Sequence, residues 1–303
     1  MTTTLEASKA GPQHPLPTTE AESLVYFNGK FLPASKAVMP LDDRGFLFGD
    51  GLFETVRVRN GRPFRFLQHL ERLEHSADFA RIKLPQTIQE IQKIGVELLK
   101  KNHQSECVLR VMITRGSGSL DYAPESTAKP TLVISQYPLP TTCIDTALEW
   151  RMVTSPHQLA PNDVIAGFKT SHKLLNVLAR QDAVSRGADE ALLTSTTGEI
   201  LSAAGGNLFW VFQNRIYTVP AGRGVLPGIT RAIVMGICDS IGLENTERSI
   251  KLLQLLKSEG IFICQSVYGI VPIVELDGQP IPQSPLVDQI ASAYNQLLLA
   301  ETK

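Results

Sequence analysis

Cysteine is scarce and scattered in this chain: Cys107, Cys143, Cys238 and Cys264 are the only four in 303 residues, and no two form a CxxC pair. That spacing offers no zinc or dithiol redox motif, and reduced thiols in a cytosolic protein fit it best. Long apolar runs are missing too. None approaches the roughly 18 residues of a membrane span, and the N-terminus lacks the basic-then-apolar pattern of a signal peptide. An excess of one charge is also absent. Lys and Arg number 29 against 30 Asp and Glu, a formal net charge of −1, so no global field would gather nucleic acid or an anionic membrane. A charged ligand has to be caught by a local constellation. No cluster of His, Cys and carboxylates suggests a metal among them.

What is present fits a two-domain globular protein. A length of 303 residues is about twice that of a typical domain, and hydrophobic content of 43% supports a core that needs no disulfide or metal staple. Residues 1–22, rich in Thr, Ala, Pro and Glu without periodicity, read as a mobile tail. Two hairpins are expected to follow. Asn28-Gly29 turns the first, and Asn60-Gly61 joins 52–59 to 62–67 in the second. Leu67, Leu70, Leu73 and Ala77 mark one helix. Thr87 with Glu90 three residues on is a capping-box start for another. Runs 107–114 and 131–135 read as strands, and Tyr137-Pro138-Leu139-Pro140 as a stiff connector. The expected division is a small domain over 23–137, a linker over 138–141 and a large domain over 142–303. In the latter, a helix over about 173–186 ends at Gly187, another starts near Thr230, and several short strands lie between and after them. The fold class is α+β, with mixed sheets in both halves and a cleft between.

Some residues carry more than structure. Lys169, in Gly167-Phe168-Lys169-Thr170-Ser171-His172, stands between a loop and a helix, though a lone lysine is ordinarily a solvated surface residue. Gly228-Ile229-Thr230 opens a helix, so its backbone N–H groups and dipole suit an anion; a plain capped helix start is the bland alternative. Arg72 lies on the first helix, where an arginine would usually be a surface residue. His172 is the best-placed histidine, while His69 and His75 read as surface residues.

Four segments, in order, give this pattern its context: Asp43–Glu54, Gly167–His172, Gly206-Asn207-Leu208-Phe209-Trp210 and Leu226-Pro227-Gly228-Ile229-Thr230-Arg231. Together they resemble the class IV (fold-type IV) aminotransferase and lyase family, whose members use pyridoxal 5'-phosphate and are homodimers. The resemblance implies that Lys169 forms the Schiff base with the cofactor aldehyde and moves the substrate Cα proton. It implies that Arg72, Gly228, Ile229, Thr230 and Ser266 bind the phosphate. Phe53, Arg57 and Tyr122 are candidates for contact with an amino-acid-like substrate.

One departure stands out. Relatives carry Glu, which keeps the pyridine nitrogen protonated, where this chain has Ser202. Glu199 is three residues away along a strand and faces the other side, so Ser202 is the expected ring partner. Leu174 stands where branched-chain aminotransferases carry Tyr, and Leu120 and Tyr122 replace the Arg-x-His pair of D-amino-acid aminotransferases. Arg115-Gly116-Ser117-Gly118, Tyr122 and Asn207-Leu208-Phe209-Trp210 resemble aminodeoxychorismate lyase, although Leu120 replaces an arginine there as well. The expected activity is therefore cleavage of 4-amino-4-deoxychorismate to 4-aminobenzoate and pyruvate, in folate synthesis. Amino-acid transamination with a 2-oxo acid is the alternative, and a degenerate non-catalytic homologue the remote one.

Overall fold

The computed structural model describes residues 22–125, 128–140, 148–222 and 224–303. Most of the expected N-terminal tail, residue 141 of the expected linker, the start of the expected large domain and Cys143 lie outside them. The first half contains β1 (Leu24–Phe27), β2 (Lys30–Pro33), α1 (Arg44–Phe48), β3 (Gly51–Arg59), β4 (Arg62–Pro63), α2 (Phe66–Ala80), α3 (Ile88–Lys101), β5 (Cys107–Thr114) and β6 (Thr131–Pro138). The second contains β7 (Trp150–Thr154), α4 (Leu174–Ser185), β8 (Glu190–Thr194), β9 (Ile200–Ala203), β10 (Asn207–Phe212), β11 (Arg215–Thr218), α5 (Ile229–Ser240), β12 (Asn245–Glu247), α6 (Leu252–Leu255), β13 (Gly260–Gln265), β14 (Gly269–Leu276), β15 (Gln279–Pro280) and α7 (Pro285–Glu301).

Two sheets result. The first runs β2-β1-β6-β5-β3-β4, and every pairing in it is antiparallel, where a mixed sheet was expected. The second runs β12-β11-β10-β13-β14-β7-β8-β9, with β15 on β14. It is mixed, because β7 pairs in parallel with both β14 and β8. The Asn28-Gly29 and Asn60-Gly61 turns both adopt positive φ at two consecutive residues, the geometry that matches hairpin twist. The Thr87–Glu90 capping box forms on α3. The second hairpin is shorter than expected: β4 has two residues and α2 already begins at Phe66. Leu67 is exposed, and the buried stripe of α2 is Phe66, His69, Leu70, Leu73, Ser76 and Ala77.

Helices α2 and α3 cover one face of the first sheet, burying Leu70, Leu73, Ile91 and Leu98 against Val56, Leu109 and Val111. In the second sheet the central strands, such as β10 and β13, are buried on both faces. Phe209 and Val211 of β10 pack with α5 and α7, while Leu208 and Trp210 enter a separate core on the other side. That is why β10 reads as a continuous apolar run instead of alternating.

Candidate active site

Lys169 follows a one-turn 3-10 helix, Ile165–Gly167. The segment after it lies along the start of β3. The Phe53 N–H donates to the Lys169 carbonyl at 3.0 Å, and the Ser171 N–H to the Gly51 carbonyl at 2.8 Å. These bonds tie the lysine, which belongs to the second half of the chain, to the first sheet. Phe168 anchors the same segment by stacking on Phe79 of α2, with 3.9 Å between ring centroids. The Lys169 Nζ lies 4.8 Å from the centroid of the Phe53 ring. Lys169 keeps some surface because it opens onto a cavity, yet its surroundings are dense. Burial pushes its ammonium down to about 8, Glu54 pulls it back up, and Arg72, Lys173 and Arg110 push it further down. Such an amine is a free base at neutral pH far more often than an ordinary lysine, as a carbonyl-attacking nucleophile must be.

The cavity has a volume of about 520 Å³ and is lined by Phe53, Arg72, Lys169, Ser202, Gly228, Ile229, Thr230 and Ser266, with His172 beside them. The fold therefore gathers eight of the ten residues singled out by sequence onto one surface. Their sources are β3, α2, the 169–172 segment, β9, the start of α5 and the end of β13.

The Gly228–Thr230 turn is built tightly. The Asn207 side-chain amide donates to the Leu226 carbonyl at 2.9 Å, and a Cβ on Gly228 would stand only 2.1 Å from the Asn207 Oδ1. Glycine is required there for close approach, not for an unusual φ, since its φ is −69°. The first N–H groups of α5 have no partners within the helix, and they open toward the cavity that Lys169 shares.

Arg72 is not the surface residue that its helix position suggests. Its side chain is 10% exposed. Its Nε and Nη2 donate to the two Glu54 carboxylate oxygens at 2.8 and 2.7 Å, and its Nη1 donates to the Pro227 carbonyl at 2.9 Å. The bidentate edge of the guanidinium is thus taken by Glu54, and only the remaining N–H groups are left for a phosphate. His69 is buried as well, with its Nδ1 2.7 Å from a Glu54 oxygen. Burial alone would raise the Glu54 pKa, but the hydrogen bonds from His69 and Arg72 hold it at about 2. Burial keeps His69 itself below the usual histidine value, against the pull of Glu54.

Two candidates stand apart from the cavity. Arg57 is buried, and its Nη1 donates to the Val267 carbonyl at 3.3 Å, bracing the turn after Ser266. Tyr122 is 83% exposed, 5.5 Å from the Phe48 ring, and Leu120 is likewise exposed. The other motifs that pointed to a lyase have structural duties. Arg115 pairs through Nε and Nη2 with Asp50 and caps the carbonyls of Ala80 and Arg81. Gly116 has φ +88°, and a Cβ there would fall 1.9 Å from the Lys129 carbonyl oxygen. Leu208, Phe209 and Trp210 are core. Glu199 pairs with Lys251 in an isolated bridge and does not line the cavity.

Several groups at the site are not evident from sequence. Glu54 hides inside an apolar strand, and the signal for it is the i, i+3 spacing of His69 and Arg72 on one face of α2. Arg110 of β5 sits 3.9 Å over the Phe53 ring, with Thr55 its hydrogen-bond partner at 3.4 Å; no carboxylate lies within salt-bridge range among the described residues. Lys173 lines the cavity near Asp163, and burial lowers its pKa while Asp163 raises it. Among the described residues, no group of three His, Cys, Asp or Glu could hold a metal, and no helix is long and apolar enough to cross a membrane.

A close-walled helix-start turn, an arginine and a near-neutral lysine in one cavity suit a phosphorylated aldehyde, with the phosphate at the turn and the amine at the carbonyl. Comparison with known proteins agrees. Residues 51–276 match the family described as amino-transferase class IV. A Methanocaldococcus jannaschii protein provisionally named a branched-chain-amino-acid aminotransferase is 33% identical over 258 residues, 85% of this chain and 89% of its own. The D-alanine aminotransferase of Bacillus licheniformis is 28% identical over 292 residues, 92% of this chain and 98% of its own. In fold, the Escherichia coli branched-chain aminotransferase superposes with a TM-score of 0.86 at 24% identity, covering 93% of this chain and 97% of that one. A Legionella pneumophila protein provisionally described as a 4-amino-4-deoxychorismate lyase gives 0.80 at 24% identity, covering 89% and 97%. This chain belongs to the class IV aminotransferase family of pyridoxal-phosphate enzymes.

Proposed function

We propose that this protein is an aminotransferase that moves the amino group of an amino acid to a 2-oxo acid. The observation that carries the reading is the Lys169 amine, over the Phe53 ring and in one cavity with the Gly228–Thr230 turn and Arg72. Bound pyridoxal phosphate would supply an electrophilic carbonyl and an electron-withdrawing ring. Lys169 would hold the cofactor, then take the substrate Cα proton and deliver it to the cofactor carbon that had been the carbonyl, leaving the amino group on the cofactor. The Ile229 and Thr230 N–H groups, the Arg72 guanidinium and the Ser266 hydroxyl would hold the phosphate. Ser202 would donate to or accept from the ring nitrogen. Phe53 would wall the substrate side, and Arg110, which has no carboxylate partner among the described residues, would offer a cation to a substrate carboxylate. Branched-chain and D-amino acids are the donor classes suggested by the relatives. The first sheet and the second would correspond to the small and large domains, with the cleft between them. The protein would work in the cytosol as a homodimer, and the exposed Leu120 and Tyr122 are surface that a second copy would cover.

Cleavage of 4-amino-4-deoxychorismate to 4-aminobenzoate and pyruvate is the second reading, and Ser202 favours it, since a hydroxyl stabilises a carbanion on the ring less than a carboxylate would. The motifs specific to that reading have structural duties, so it ranks below transamination. The deciding experiment supplies cofactor-loaded protein with amino acids plus 2-oxoglutarate, and separately with 4-amino-4-deoxychorismate. Amino transfer without pyruvate release is expected. Pyruvate release with no amino transfer would reverse the assignment.

A further inference from the structure

Glu54 is buried behind the cavity, bonded to the lining residue Arg72, and no cofactor or substrate role accounts for it. It is 1% exposed in the side chain and points from β3 toward α2, where Arg72 binds both of its oxygens and His69 shares one of them. It directly follows Phe53, whose N–H holds the Lys169 carbonyl and whose ring lies under the Lys169 amine. One carboxylate therefore connects the arginine at the anion turn with the strand beneath the lysine. The other charges that act on the amine are the cations Arg72, Lys173 and Arg110, while Asp163 of the same cavity acts on Lys173 and burial lowers the His69 pKa.

We propose that Glu54 is the positioning residue of this site: its carboxylate holds the Arg72 guanidinium against the Pro227 turn and supplies the negative charge that offsets the cations around Lys169. Both tasks follow from geometry. An arginine on a helix surface has several rotatable bonds, and a two-point carboxylate clamp selects one orientation. Here that orientation leaves Nη1 on the Pro227 carbonyl, one residue before the glycine of the anion turn. The charge task is electrostatic. A carboxylate near an ammonium favours the charged form, and removing it leaves three cations and burial acting together against that form.

The proposal rests on the cofactor reading for its phosphate arm but not for its lysine arm, and the two are measured separately. The first measurement uses the full chain freed of cofactor, where competitive labelling followed by peptide mapping reports the titration of Lys169. Glu54→Gln keeps an acceptor for Arg72 and removes the charge, so the Lys169 midpoint should fall by about one pH unit or more. An unchanged midpoint overturns the charge role. The second measurement is retention of pyridoxal phosphate on dialysis. Glu54→Ala, which frees the guanidinium, should weaken retention about tenfold or more, and Glu54→Gln much less. Equal retention in wild type and Glu54→Ala overturns the orienting role. If the wild type takes up no pyridoxal phosphate, the cofactor reading falls while the labelling result still decides the charge role. Should Glu54→Gln fail to fold, Glu54→Asp serves. It retains the charge and retracts the clamp, so Lys169 should titrate as in wild type while retention falls. A shifted lysine with unaltered retention would overturn the proposal.

Discussion

Replacing Arg72 by methionine is the perturbation with the largest calculable effect. The methionine fills much of the volume of the arginine stem and removes three hydrogen bonds, two to Glu54 and one to the Pro227 carbonyl. What remains is a carboxylate 1% exposed with His69 as its hydrogen-bond partner. Breaking a buried ion pair by removing one member typically costs about 3–5 kcal/mol, because the other charge is left uncompensated. The surviving His69 bond argues for the lower end, about 3 kcal/mol. The effect should depend on pH in a definite direction. In the wild type Glu54 is held at about 2 against an ordinary 4.5, so its contribution is complete above the ordinary value and disappears only as pH falls through about 2. Without Arg72, burial dominates and pushes the Glu54 pKa up, so the carboxyl can take a proton and shed the penalty in mild acid. The stability gap between wild type and Arg72→Met should therefore narrow between pH 7 and pH 4. Urea unfolding of cofactor-free protein at several pH values, with Glu54→Gln and the double variant completing a cycle, measures it. A gap below about 1 kcal/mol at pH 7, the range of exposed pairs, or a gap that does not change with pH, would refute the buried-pair reasoning. Arg72→Met should also loosen the cofactor, so the variant is expected to lose both stability and cofactor retention.

Other expectations test the remaining parts of the site. Lys169→Ala should abolish the borohydride-reducible link to pyridoxal phosphate, and peptide mapping that finds a label on another lysine would displace it. Gly228→Ala puts a methyl group where the Asn207 side chain stands, so the turn must shift and cofactor retention should drop roughly tenfold or more with the fold intact by circular dichroism. Ser202→Glu should raise the ratio of amino transfer to pyruvate release if Ser202 meets the ring nitrogen. An unchanged ratio would remove Ser202 from that position, and the variant also risks a buried, unpaired carboxylate, visible as lower stability.

Some of this protein was legible from residues in a row. Asn28-Gly29 and Asn60-Gly61 specify their hairpins because both positions need positive φ, a demand met within two residues. Thr87 and Glu90 specify a helix start by bonds that span three residues. The four motif segments identified the family, and Lys169 and Gly228, which two of them carry, share one cavity with Ser266. Turns without such residues were not legible: Gln213 and Asn214 both have positive φ although no glycine announces it. The partners of charged side chains were decided only by tertiary structure. His69 read as a surface residue, as Arg72 would have done without the family resemblance, because an amphipathic helix shows where its faces are, not what covers them. A carboxylate from β3, 15 to 18 residues earlier, buries both. Arg115 looked like a substrate motif until Asp50, 65 residues away, took its guanidinium. Local backbone geometry is a short-range property and is written in the sequence, whereas burial and charge pairing depend on which distant segments meet, and that is settled when the two sheets and their helices pack.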